Sequence, residues 1–198
     1  ISADGDTLIL ISWFDGDVRV WDPVRQERLA HYPGLAAPVA AVRFADGIAI
    51  AEHAKGTVSL YSDDADPVVL AGGLTAPTDL FSNDGALYVS DRADGVVLKI
   101  ADNHLSLSKP ELIADNLESP EGFVVFDDGV LVVEAEIARI TLVDPSGNRR
   151  ILAEYPAGSV GAPGLPPSQM LNGLALDDEG QVFFANETGR KLNRIRLE

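Results

Sequence analysis

Short runs of apolar and β-branched residues alternate along this chain with tight turns rich in aspartate, asparagine and glycine. The pattern is clearest from Pro77 onward, where residues 78–81, 86–90 and 96–100 form three such runs. Asn83-Asp84-Gly85 separates the first two, the loop 91–95 separates the next two, and a weaker run at 111–114 closes the unit. Apolar spacing of helical period is absent over any helix-length window, so the runs predict strands. The turns support this, because hairpin turns need positive φ, which glycine and asparagine tolerate.

The unit repeats. From Pro120 the runs are 121–126, 130–134, 138–143 and 149–153, with turns at Asp127-Asp128-Gly129 and Pro145-Ser146-Gly147. From Pro38 they are 42–44, 48–52, 57–61 and 68–71, with turns at Asp46-Gly47 and Lys55-Gly56. Two partial copies flank these three. The first begins inside its hairpin at Asp4-Gly5-Asp6, continues through 7–11 and 18–21, and ends near 27–31, so an innermost strand is expected to be missing. The last opens at Leu171-Asn172-Gly173-Leu174, turns at Asp178-Glu179-Gly180, continues through 181–185 and stops after 192–197, without an outermost strand.

A four-strand unit recurring at roughly 40 to 50 residues is the period of a propeller blade. A β-sandwich would not require the same proline, turn and loop offsets in each unit. The expected fold is therefore all-β, with residues 1–198 forming one β-propeller domain of about five blade units. Propellers close with about four to eight blades, and the partial units at both ends predict an incomplete ring, six-bladed when complete.

Charge narrows the partners. With 31 acidic against 15 basic residues the formal net charge is −16, which repels phosphate backbones and anionic lipid. Nucleic acid is excluded as a partner on that ground. No apolar run approaches the roughly 18 residues of a spanning helix, so a soluble domain without membrane insertion is expected. There is no cysteine, which removes disulfides and thiolate-bound zinc. The sequence does not specify a compartment. Because the chain opens inside a repeat, an export signal before Ile1 is compatible with it, and an extracytoplasmic location stays open.

In an up-and-down blade, the starts of the innermost strands and the loops between second and third strands share one face, and the Asp-Gly turns lie on the other. Most Asp-Gly aspartates are accordingly turn formers. On the shared face, the innermost strands open with Val39-Ala40, Thr78-Asp79, Glu121-Gly122 and Asn172-Gly173. An unpaired carboxylate near the ring axis is costly, so Asp79, Glu121 and Asn172 are expected to meet channel water, backbone N–H groups or a cation. Oxygen donors without cysteine or a histidine pair select a hard ion such as calcium or magnesium. The second-to-third-strand loops add Asp15, Glu52, His53, Asp91, Arg92, Glu134, Glu136, Asn186 and Glu187. Of these, Asp91, Arg92, Glu134, His53 and Glu187 are the candidate ligand contacts. The glycine- and proline-rich stretch 155–169 has the composition of a covering loop. Trp21-Asp22 occurs once and reads as a packed aromatic at a strand end.

Pro77-Thr78-Asp79-Leu80 with Leu87-Tyr88-Val89-Ser90-Asp91, Pro120-Glu121-Gly122-Phe123 and Asn172-Gly173-Leu174-Ala175-Leu176-Asp177 resemble the repeats of the gluconolactonase and senescence-marker-protein superfamily. They also resemble NHL repeats. The first resemblance implies a divalent cation, calcium first, held in the channel by Glu, Asn and Asp side chains, and hydrolysis of a lactone or related small ester. On it, Glu121 and Asn172 fall at ligand positions and Asp79 is a third candidate. Thr78-Asp79 departs from the Asn-Asp-Gly form, and no Asp-Gly strand start supplies the acid the resemblance calls for. The second implies a non-catalytic propeller that binds a small molecule or a protein partner through its loop face.

Overall fold

The computed structural model describes residues 1–62, 65–102, 105–126, 129–154, 173–177, 179, 181–186 and 191–196. These residues form five antiparallel sheets and, among them, no helix. Blade 1 comprises β1 (Ser2–Asp4), β2 (Thr7–Ser12), β3 (Asp17–Asp22) and β4 (Glu27–Pro33). Blade 2 comprises β5 (Pro38–Phe44), β6 (Gly47–Glu52), β7 (Thr57–Tyr61) and β8 (Val68–Gly72). Blade 3 comprises β9 (Pro77–Asn83), β10 (Ala86–Asp91), β11 (Val96–Asp102) and β12 (Leu105–Ala114). Blade 4 comprises β13 (Pro120–Phe126), β14 (Gly129–Glu134), β15 (Arg139–Val143) and β16 (Arg149–Glu154), and blade 5 comprises β17 (Leu174–Leu176), β18 (Gln181–Asn186) and β19 (Lys191–Arg196). Within each sheet the spatial order is the chain order, as an up-and-down propeller blade requires.

The blades begin at Pro38, Pro77 and Pro120, as the repeat predicts. Blade 1 corrects the expectation of a missing innermost strand: Ser2, Ala3 and Asp4 pair with Ile9, Leu8 and Thr7. Three residues are too few to show a period-two pattern, which is why this strand escapes a reading of hydrophobicity. Blade 3 also extends its outer strand beyond the expected 111–114 to a ten-residue β12.

Apolar side chains on the facing surfaces of successive sheets form four cores. Ile9, Val18 and Val20 of blade 1 meet Ile48 and Ile50 of blade 2. Ala49, Val58 and Leu60 meet Leu80, Leu87 and Val89 across the next gap. Val97 meets Phe123, Val130 and Val132 in the third, and Leu131 and Ile140 meet Val182 and Phe184 in the fourth. Burying each such side chain contributes about 1.5–3 kcal/mol, so the cores stack the sheets face to face and leave the innermost strands along the axis.

A second repeat, in hydrogen bonds, fixes the loop face. Glu52, Asp91 and Glu134 each end a second strand, fourteen residues after the proline that starts the blade. Each carboxylate reaches back sixteen residues to a backbone N–H ahead of that proline: Ala36 to Glu52 at 2.7 Å, Thr75 to Asp91 at 2.7 Å and Glu118 to Glu134 at 2.8 Å. Four residues beyond each brace the chain takes positive φ, at Gly56, Gly95 and Ala138 (62°, 66° and 51°). At Gly56 a Cβ would stand 2.1 Å from the Leu74 carbonyl oxygen, so only glycine fits there. Ala138 holds the same conformation with a Cβ. Ala138→Gly is expected to stabilise the protein by about 1 kcal/mol, raising the melting temperature by about 2–4 °C in a thermal melt.

Candidate functional site

Proline at the head of each inner strand is followed by an irregularity in pairing. Pro38, Pro77 and Pro120 sit opposite Glu52, Asp91 and Glu134, and the register shifts before Ala40, Asp79 and Phe123. Such bulges re-aim side chains. Here they lie where the inner strands meet a cavity of about 310 Å³, lined by Ile11, Trp13, Val39, Val42, Thr78, Asp79, Glu121 and Gly122 among others, and by Gly173 from the last blade.

Asp79 and Glu121 therefore share one cavity wall. Asp79 accepts hydrogen bonds from the N–H of Leu80, at 2.9 Å, and of Phe123. It keeps some contact with channel solvent, yet burial pushes its carboxyl up to about 7, and those two N–H bonds only partly offset the rise. Glu121 is 2% exposed and receives the Arg92 guanidinium at 3.3 Å. Beneath them, buried hydroxyls tie blade 3 to blade 4: Thr78 Oγ1 donates to the Pro120 carbonyl at 2.9 Å and Ser90 Oγ to the Glu121 carbonyl at 3.0 Å. The two strand starts are thus held in fixed relation.

A second hollow, about 420 Å³, opens on the loop face between His53, Ala76, Arg92, Glu118, Ser119 and Glu136. The His53 Nδ1 lies 3.0 Å from the Pro77 carbonyl oxygen, which can only accept, so Nδ1 carries the hydrogen. Its ring also packs at 5.4 Å on Trp13, which lines the channel. Arg92 and His53 consequently stand at the boundary between the two cavities.

Asp91 and Glu134, expected as ligand contacts, are occupied otherwise. Both are fully buried, and their oxygens are consumed by the chain itself. Asp91 accepts from the backbone N–H of Thr75, Ala76, Ala93 and Asp94. Glu134 accepts from Glu118 N–H, Arg139 and Thr141; burial raises its pKa, but these partners outweigh burial and hold it below the ordinary carboxylate value. They brace loops rather than face a ligand. The signal that identifies them was present as the constant fourteen-residue offset from each blade proline. Asn172, Glu187 and the stretch 155–169 lie outside the described residues.

Among the described residues no three His, Cys, Asp or Glu side chains gather as a ligand cluster. Two carboxylates on one cavity wall are nevertheless hard-ion donors, and the high carboxyl of Asp79 marks a buried negative charge that lacks full compensation. Donors of this type suit a hard divalent cation, and two of them do not by themselves make its site. Among the described residues no helix is long and apolar enough to cross a membrane.

No protein-family profile matches the chain, and no curated protein matches its sequence. Solved structures do match. A calcium-binding protein, regucalcin, from Agrobacterium tumefaciens superposes with a TM-score of 0.72 at 13% identity, over 96% of this chain and 67% of that one. The chain has a propeller fold. A streptogramin B lyase follows the same path with a TM-score of 0.66 at 13% identity, over 100% of this chain and 67% of the other. A chain of a nidogen–laminin complex does so with a TM-score of 0.63 at 14% identity, over 92% and 75%. The protein thus spans about two thirds of the length of the first two. At these identities the likeness is one of fold, the same fold to which the gluconolactonase-like repeats pointed, and its bearers differ in what they do.

Proposed function

We propose that the axial cavity is a metal-dependent hydrolytic site for a lactone or related small ester. The observation that carries this reading is the pair of carboxylates, Asp79 and Glu121, on the wall of one channel cavity. Glu121 and Asn172 are the proposed oxygen donors to a divalent cation, calcium first, with Asp79 as the third. Such an ion, when bound, polarises a carbonyl and lowers the pKa of water. Asp79, whose carboxyl titrates near neutrality, is suited to take up a proton inside the channel. Arg92 holds Glu121 in its rotamer and balances its charge until a cation arrives. His53, Arg92 and Glu187 are the proposed contacts for the outer part of the substrate; Asp91 and Glu134 act behind them as braces.

The calcium-binding neighbour of the same fold supports the choice of ion without specifying it. The loop-face hollow around His53 and Arg92 favours a second reading, a propeller that holds a small molecule or protein partner without turnover, and the nidogen–laminin neighbour agrees with it in fold. Calorimetric titration of calcium into the protein and its Glu121→Gln variant, alongside hydrolysis of a lactone panel, separates the two. The variant is expected to lose at least tenfold in calcium affinity and its hydrolysis. Unchanged affinity removes Glu121 from the site, and calcium binding without hydrolysis of any lactone leaves the binding propeller.

A further inference from the structure

The channel wall is two-sided. On the side of blades 1 and 2 the partly exposed lining is hydrocarbon and indole: Ile11, Trp13, Val39 and Val42. On the side of blades 3 and 4 the charged lining residues are the partly exposed Asp79 and the buried Glu121. Among the described residues the two hydroxyls in the lining already donate, Ser2 to the Ala41 carbonyl at 2.5 Å and Thr78 to the Pro120 carbonyl at 2.9 Å. The Arg92 guanidinium is turned onto Glu121.

A polyhydroxylated ligand strips each hydroxyl of water on binding and needs a partner for each. Among the described residues the hydrocarbon side offers no uncommitted side-chain hydroxyl, only the indole of Trp13 and the backbone of its strands. A ligand with an apolar body and a single polar head meets no such cost, because its body displaces water from apolar surface and its head faces the carboxylates. We infer that the site takes compact molecules whose alkyl or aryl body lies on Ile11, Trp13, Val39 and Val42, and that sugar-like ligands are rejected. This rests on the reading of the channel as a ligand site. Given hydrolysis, the substrates are alkyl- or aryl-substituted lactones and esters. His53, packed at 5.4 Å on Trp13, limits how far that body extends toward the loop face.

The test measures binding and turnover separately. The probes are two non-hydrolysable lactams, a pentyl-substituted δ-lactam and the polyhydroxylated gluconolactam, followed by tryptophan fluorescence. Of the two tryptophans only Trp13 lines the cavity, so Trp13→Phe supplies the control for signal from Trp21. The alkyl lactam is expected to bind at least tenfold more tightly than gluconolactam. In the near-isosteric Val39→Thr/Val42→Thr variant, with circular dichroism matching the parent, the ratio is expected to fall at least threefold. Equal affinities, a reversed ratio, a ratio unchanged in that variant, or no saturable binding of the alkyl lactam overturns the inference. If the preference holds but neither corresponding lactone is hydrolysed, the hydrolytic reading fails and the ligand class stands. If the polyhydroxylated lactone is the one hydrolysed, the hydrolytic reading stands and the ligand class fails.

Discussion

Asp91→Ala is expected to lower the melting temperature by about 10 °C and to abolish ligand binding in the channel, although Asp91 lines neither cavity. Its two oxygens accept four backbone N–H groups, two of them, from Thr75 and Ala76, in the segment that leads into Pro77-Thr78-Asp79. The side chain is fully buried, so water does not readily replace it. Leaving a buried donor unpaired costs about 1–3 kcal/mol; these four bonds are part-buried and three of the donors sit on exposed residues, so water recovers part of the loss and the four together cost about 3 kcal/mol. In a domain of this size each kcal/mol moves the melting temperature by about 2–4 °C. Asp91→Asn, which keeps one carbonyl acceptor, is expected to fall between the two. Differential scanning calorimetry measures both, and a loss below about 1 kcal/mol in the alanine variant would mean that the brace is not what orders the strand start.

The second large effect has the opposite sign. Asp79 titrates at about 7 in the folded protein against an ordinary 3.8, because burial disfavours its charge. A raised carboxyl pKa means that the native state binds more protons than the unfolded chain between those values. Stability contributed by Asp79 is therefore present at low pH and lost as pH rises from about 4 to 7. At 1.36 kcal/mol per pKa unit the loss approaches about 4 kcal/mol, and channel solvent reduces it to about 2–3 kcal/mol. Asp79→Asn removes the charge. In chelator-treated protein at pH 8 the variant is expected to melt about 5 °C or more above the parent; at pH 5, where only the unfolded parent is ionised, the gap is expected to shrink to about a third, and at pH 3, below both values, the curves are expected to coincide. Calcium is expected to narrow the gap at pH 8 by stabilising the parent more than the variant. A gap independent of pH would show that Asp79 is not the buried, uncompensated acid described above.

The blades were legible because their signals are redundant. Around Pro77 and Pro120, strand composition, turn glycines and the leading proline all agree, so an error in one is corrected by the others. Ser2–Asp4 carries one such signal in three residues, too little to tell a strand from the flank of a turn. The placement of Asp79 and Glu121 on one channel cavity was open to inference from blade geometry, since strand starts converge on the axis. The fates of Asp91 and Glu134 were harder. A carboxylate at a strand end can face solvent, a ligand or a backbone N–H, and residue type alone does not distinguish these. Composition is likewise silent on the two-sided lining, because Ile11 and Trp13 come from a second strand and its following turn, Val39 and Val42 from an innermost one, and only the packing of blade 1 on blade 2 brings them together.

Each brace joins the end of a blade's second strand to the connector just ahead of that blade's first strand, sixteen residues away. The consequence is modular inheritance. A duplicated blade carries with it the device that shapes its own rim, so copies can diverge at positions such as Val39, Thr78 and Glu121 while their scaffolding stays intact. One ring can then acquire an oily quadrant and an acidic quadrant by independent histories, and a graft of residues 75–91 between homologous blades would carry a working rim segment with it.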